Sequence, residues 1–140
     1  MLHIEGYASR FGVRDLNDDV VAAGAFRDSL TAGGVRGVRM LYQHQAASPV
    51  GVWDEIYEDA VGLYVRGRVL DLSPESRMVG SLVKAGVVDG LSIGFRAVKS
   101  RRSSGLRVLA AVELWEVSIV TFPMLPSARV SVVREERVAA

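Results

Sequence analysis

Strand-type patterns succeed one another along most of this chain, with two helical interruptions and no β-α-β rhythm; nothing else constrains its fold as much. Strands adjacent in sequence pair antiparallel through short turns, whereas parallel neighbours need a long crossover. Leu2 to Phe11 alternates loosely and stops at Gly12, and Val35 to Gln43 sets Val38, Met40 and Tyr42 against Arg39, Leu41 and Gln43. A small-residue turn, Gln45 to Pro49, follows, and then Val50 to Glu58 and Gly62 to Leu70 form a hairpin about the acidic Glu58-Asp59 region. Leu91 to Val98, Leu106 to Thr121 and Ser127 to Val133 read as the remaining strands, with the polar, glycine-ended Lys99 to Gly105 as a solvated hairpin loop.

Two helices are expected. Asn17-Asp18-Asp19 can cap one over Val20 to Thr31, with Ala22, Phe26 and Leu30 at four-residue steps and Gly33-Gly34 as the stop. Ser73-Pro74-Glu75 is the clearer start: Ser73 caps, Pro74 suits the first helical position and Glu75 favours the positive end of the helix dipole. Met78, Leu82 and Ala85 continue its apolar face to Gly86. The class is therefore mainly β (α+β), an antiparallel barrel-like sheet of about seven strands with helices outside it. Residues 1–133 are expected to form a single domain and 134–140 a flexible charged tail.

Charge and composition narrow the function. Lys plus Arg number 17 against 16 Asp plus Glu, so no broad footprint for nucleic acid or anionic lipid is expected. The chain has no cysteine, which excludes disulfides, thiolate zinc sites and a cysteine nucleophile and permits an intracellular setting. Met1 to Gly6 carries no signal-peptide pattern, and no apolar run approaches the ~18 residues of a membrane helix. A soluble protein working inside a cell is the expectation.

The chemistry centres on Val88-Asp89-Gly90-Leu91-Ser92-Ile93-Gly94-Phe95, where a turn pair delivers a serine into a strand. A serine hydroxyl is inert at its own pKa and needs a base. Gly90 to Gly94 matches G-x-S-x-G, but the α/β-hydrolase elbow requires a helix directly after the serine and a histidine later in the chain. Here Phe95-Arg96-Ala97-Val98 is strand-like and no histidine lies beyond 44. The base must be His3, at a chain end expected to fray, or His44, where a strand meets a turn. One well-placed histidine without cysteine makes a poor ligand set, so no metal and no other cofactor is expected. A third group must fix the imidazole's tautomer, and Glu113-Leu114-Trp115-Glu116-Val117-Ser118 offers two carboxylates that alternation directs to opposite faces. At most one of them faces His44.

An ordered set of motifs carries a resemblance. Gly6-Tyr7-Ala8-Ser9-Arg10-Phe11, Gly24-Ala25-Phe26 and Met40-Leu41-Tyr42-Gln43-His44 are followed by Pro49-Val50-Gly51-Val52-Trp53 and Gly62-Leu63-Tyr64-Val65. Leu91-Ser92-Ile93-Gly94-Phe95 and Glu113 to Pro123 complete the series. Together, from about residue 5 to residue 133, they resemble the prohead (capsid maturation) protease family of tailed bacteriophages. The resemblance implies a serine endopeptidase with the fold of the herpesvirus assemblin proteases, enclosed in the assembling procapsid within the host cytoplasm. It implies the scaffold protein, or the scaffolding segment of the major capsid protein, as substrate, with self-cleavage and homodimer or weak homo-oligomer formation. By motif, Ser92 is the nucleophile, His44 the base and Glu116 the third member, with Glu113 as the alternative. Gly94 and Arg129 are candidates for the oxyanion or substrate site. The chain departs from the family pattern at Gln45, after the histidine, and at Met124-Leu125, after Pro123. A catalytically silent capsid-assembly or scaffold-binding module with the same barrel is the alternative function.

Overall fold

The structure, a computed structural model, describes residues 1–136. In chain order it contains β1 (Leu2–Arg10), β2 (Asp19–Val21), α1 (Arg27–Gly33), a 3-10 turn (Val35–Gly37), β3 (Arg39–Tyr42) and β4 (Gln45–Glu58). There follow β5 (Gly62–Val69), α2 (Pro74–Lys84), β6 (Gly90–Ser103), β7 (Leu106–Val120) and β8 (Val130–Glu135).

All eight strands belong to one sheet, and β7 is its hub. β6 pairs antiparallel with β7 from Gly90 opposite Val120 to Ser103 opposite Leu106. The other edge of β7 takes two strands, both parallel: β2 beside Arg107 to Leu109, and β3 beside Glu116 to Ile119. Beyond β3 the order continues through β4, β5, β1 and β8, all antiparallel. The sheet curls until its ends meet. There Gly90 bridges Arg129, Leu91 N–H donates to the Ala128 carbonyl at 2.9 Å and Val130 N–H to the Asp89 carbonyl at 2.8 Å. The fold is thus mainly β and barrel-like as expected, but mixed rather than antiparallel. Alternation reports which face a residue covers and carries nothing about the direction of the partner strand.

The concave face is filled by Ile4, Met40, Leu63, Leu91, Leu109 and Ile119, each essentially removed from water. Full burial of a side chain of this size contributes about 1.5–3 kcal/mol. Phe26 and α2 cover the same core. The Ser73 hydroxyl accepts from Ser76 N–H at 3.0 Å, and the Ser76 hydroxyl accepts from Ser73 N–H at 2.9 Å, a reciprocal cap with Pro74 as the first helical residue. The buried face of α2 is Ser76, Val79 and Val83; Met78, expected there, is exposed.

Several boundaries differ from the sequence expectation. The helix expected over Val20 to Thr31 is split into β2 and a helix that starts only at Arg27, with Gly24 at φ +87° between them. The loop expected from Lys99 to Gly105 is mostly ladder, because β6 and β7 stay paired out to a two-residue turn at Ser104-Gly105. Both turn residues have positive φ, +48° and +81°, the hairpin geometry that a glycine at the second position favours. His3, expected to fray, sits in β1, paired on both sides by Arg68 and Arg134. Of the expected tail, Arg134 and Glu135 belong to β8, while residues 137–140 lie outside the described residues.

Candidate active site

Ser92 is the third residue of β6 and lies directly opposite Ser118 of β7; Gly94 lies opposite Glu116. Directly opposed residues project to the same face, and so do residues two apart in a strand. Ser92, Gly94, Glu116 and Ser118 therefore form one small polar patch. β3 approaches the same stretch of β7 from the other edge, with Leu41 beside Ser118 and Tyr42 beside Ile119. Three strands converge there.

The chain turns sharply after β3. Tyr42 pairs with Gln45, and the two residues between them, Gln43 and His44, have φ of +55° and +60°. The expected turn at Gln45 to Pro49 is instead the start of β4, so His44 belongs to the turn itself. Neither residue is glycine, and such positions persist only when their surroundings enforce them. β7 and the residue following it do so. Gln43 N–H donates to the Ile119 carbonyl at 2.9 Å, the Gln43 amide to the Thr121 hydroxyl at 2.7 Å, and His44 N–H to the Ser118 hydroxyl at 3.0 Å.

So held, the imidazole meets Glu116: His44 Nδ1 is hydrogen-bonded to Glu116 Oε1. The other carboxylate oxygen, Oε2, accepts from the Ser118 hydroxyl at 2.5 Å. A carboxylate only accepts, so the bond keeps the proton on Nδ1 and leaves Nε2 as the basic nitrogen of the neutral ring. Glu116 is 8% exposed, and a carboxylate so buried needs both partners. The bond to Glu116 raises the His44 pKa above the ordinary imidazole value, its charge adds to that, and partial burial opposes it.

Ser92 and His44 line one cavity, with Val13, Phe95 and Met124 among its apolar walls. The ion pair of Arg107 with Asp19, two bonds of 2.8 Å, stands in the same wall. Ser92 is 5% exposed, yet its hydroxyl is bonded to no described residue and, among the described residues, no buried side-chain oxygen lacks a partner, so it opens into the cavity. Nucleophile–base contacts are often loose in free enzymes and tighten around substrate. What the patch offers chemically is a serine, an oriented imidazole and a buried carboxylate.

The other candidates fall elsewhere. Glu113 is exposed and bonded away from His44: Oε2 accepts from Arg96 Nη2 and Oε1 from Trp115 Nε1, both at 2.8 Å. The opposite faces expected from alternation are not kept, because β7 has an extra residue at Trp115 between the Gly94–Glu116 and Phe95–Leu114 pairs. His3 Nε2 lies 2.9 Å from Glu136. Arg129 is anchored by Asp89 at 2.7 Å and by the Pro126 carbonyl at 2.9 Å, outside the residues lining the cavity. The strand following Ser92 runs on to Ser103, so the G-x-S-x-G match carries no elbow. The sequence reading missed Ser118, although a serine two residues from a glutamate, between Val117 and Ile119, signals a shared buried polar face.

Gly94 makes room for this arrangement. A Cβ there would lie 2.2 Å from Glu116 Oε1 and 2.7 Å from its Cδ. Gly94→Ala is expected to displace the carboxylate and lower kcat/KM about 100-fold, the scale of an ångström's misplacement. Circular dichroism should remain unchanged. Full activity in the alanine variant would show that the carboxylate's position is immaterial.

The family model described as caudovirus prohead serine protease matches residues 1–140. The prohead protease of Enterobacteria phage HK97 is 36% identical over 124 residues, 85% of this chain and 54% of that protein. The prohead protease of Escherichia phage T5 is 26% identical over 126 residues, 88% of this chain and 59% of that protein. The chain thus spans little more than half the length of the curated relatives it matches. The bacteriophage T4 capsid assembly protease gp21 superposes with a TM-score of 0.68 at 15% identity, covering 84% of this chain and 80% of that one. The Kaposi's sarcoma herpesvirus protease, solved with a hexapeptide phosphonate inhibitor, gives 0.64 at 13% identity, covering 96% and 65%. At these identities the structural likeness establishes a shared fold.

Proposed function

The chain belongs to the caudovirus prohead serine protease family, and on that premise we propose that it is a serine endopeptidase of capsid maturation acting through Ser92, His44 and Glu116. The observation that carries this reading is the His44–Glu116 hydrogen bond on the wall of the cavity into which Ser92 opens. Neutral His44 takes the Ser92 proton through Nε2 as the hydroxyl attacks a peptide carbonyl, and then returns it to the leaving amine. Glu116 fixes the ring's tautomer and stabilises the imidazolium formed in between. Backbone N–H groups hold the oxyanion; removing one such donor typically costs ~100- to 1,000-fold in rate. Gly94, and Arg129 through its remaining guanidinium N–H groups, are the candidates for oxyanion or substrate contact.

The substrates on this reading are the scaffold protein or the scaffolding segment of the major capsid protein, cut inside the assembling procapsid. Self-cleavage and weak homo-oligomer formation belong to the same proposal. Co-expression with the capsid and scaffold proteins of the same phage tests it. Discrete shortened products are expected, and intact substrates in the presence of folded protein would oppose it.

The pH dependence follows from the imidazole. The base works only when neutral, and its pKa lies above the ordinary value because Glu116 favours the charged ring. Activity should therefore be lost as pH falls through an apparent pKa above ~6.5, the unperturbed histidine value. A kcat/KM profile on a peptide substrate measures this limb; one well below 6.5 would contradict the pairing.

A further inference from the structure

Gln43 and His44 occupy a turn in which both non-glycine residues have positive φ, and the backbone N–H of the second is held by a single buried side chain. Ser118 is fully removed from water. Its hydroxyl oxygen accepts from His44 N–H at 3.0 Å, while its proton goes to Glu116 Oε2 at 2.5 Å. One hydroxyl thereby fixes the backbone that carries the imidazole and the carboxylate that aligns it. It also lies directly opposite Ser92 across the β6–β7 ladder, on the same face of the sheet. Its two roles are directional: the lone pair is needed at the turn and the proton at the carboxylate.

We propose that Ser118 is a positioning residue of this active site, clamping the His44 turn and the Glu116 carboxylate in mutual register. This rests on the triad reading above. The clamp explains why an unfavourable turn is kept at the one place where the ring must be held without help from a glycine. Thr121, bonded to the Gln43 side chain, secures the other turn residue from just beyond the end of the same strand. Removing the Ser118 hydroxyl leaves His44 N–H and Glu116 Oε2 without their partners and frees the ring to leave the carboxylate.

Three variants separate positioning from packing: Ser118→Ala, Ser118→Cys, which keeps the volume with a poor donor, and Ser118→Thr, which keeps the hydroxyl. For the alanine and cysteine variants kcat should fall on the order of 10- to 100-fold, the loss typical when a partner that orients a working histidine is removed. KM should stay within about twofold, since substrate contacts are untouched. The acidic limb of the pH profile should move down toward ~6.5 as the ring loses Glu116. Threonine should restore rate and limb.

Proton NMR reads the clamp independently of catalysis. A low-field signal of His44 Nδ1–H is expected in the wild type; it should broaden or move upfield with alanine and cysteine and return with threonine. Wild-type values of kcat, limb and signal in Ser118→Ala or Ser118→Cys would overturn the clamp. So would a loss of rate that follows thermal stability while limb and signal stay in place. A wild type without peptidase activity would instead reject the triad reading, and the NMR signal would still decide whether Ser118 holds the pair.

Discussion

Ser92→Ala is expected to abolish proteolysis, by about 10⁶-fold, the scale on which a triad loses rate when its serine is removed. The proposed acyl-transfer route runs through the Ser92 hydroxyl, which shares its cavity with His44, and there is no cysteine in the chain. The substitution removes one oxygen that is bonded to no described residue, so the β6–β7 ladder and the core beneath it keep their contacts. Gel analysis of a protein substrate, with circular dichroism and thermal unfolding as controls, checks both halves of the expectation. Continued processing by a folded alanine variant would reject the nucleophile.

Glu116→Gln should lower kcat by ~10⁴-fold, the scale on which a triad fails when its carboxylate becomes an amide. The amide is nearly isosteric, so the space left by Gly94 remains filled and the fold is retained. What changes is charge and proton placement. No anion then faces the imidazolium, and the amide can present an N–H where His44 Nδ1 also carries one, which turns the ring or its tautomer. Because the Glu116 bond is the largest cause of the raised His44 pKa, the residual activity should show an acidic limb shifted to lower pH. Glu113→Gln supplies the comparison. Its carboxylate is paired with Arg96 and Trp115 and not with His44, so activity should change by less than about twofold. Equal losses in the two glutamine variants would contradict the geometry.

Much of this site is legible in the sequence and some of it is not, for identifiable reasons. Ser92 after a turn, His44 after a strand and a glutamate within an apolar strand are patterns of type and spacing, readable locally. Alternation assigns Glu113 and Glu116 to opposite faces, but the extra residue of β7 at Trp115 cancels that difference, and which glutamate meets the histidine depends on how β3 pairs. That pairing is parallel to β7 and spans more than seventy residues, a contact that no local pattern reports. β2 is hidden for the same reason: Asp19 to Val21 is a strand only because Arg107 to Leu109 lies beside it. The His44 turn has no local mark in the sequence because Gln-His lacks the glycine that usually signals a two-residue hairpin. Its conformation is enforced by the Ser118 hydroxyl and by the Ile119 carbonyl, both distant in sequence. In α2 the cap was plain, while the buried face was set by packing on the sheet and settled on Val79 and Val83 instead of Met78.

Covalent capture of the nucleophile addresses the central claim most directly. After incubation of the folded protein with a fluorophosphonate and proteolytic digestion, mass spectrometry should find a single adduct, on Ser92. The adduct should form in the wild type, slow sharply in Glu116→Gln and be absent when His44 is replaced by alanine. A folded wild type that takes up no label, or that takes it up on a different serine at a rate indifferent to His44, contradicts the account.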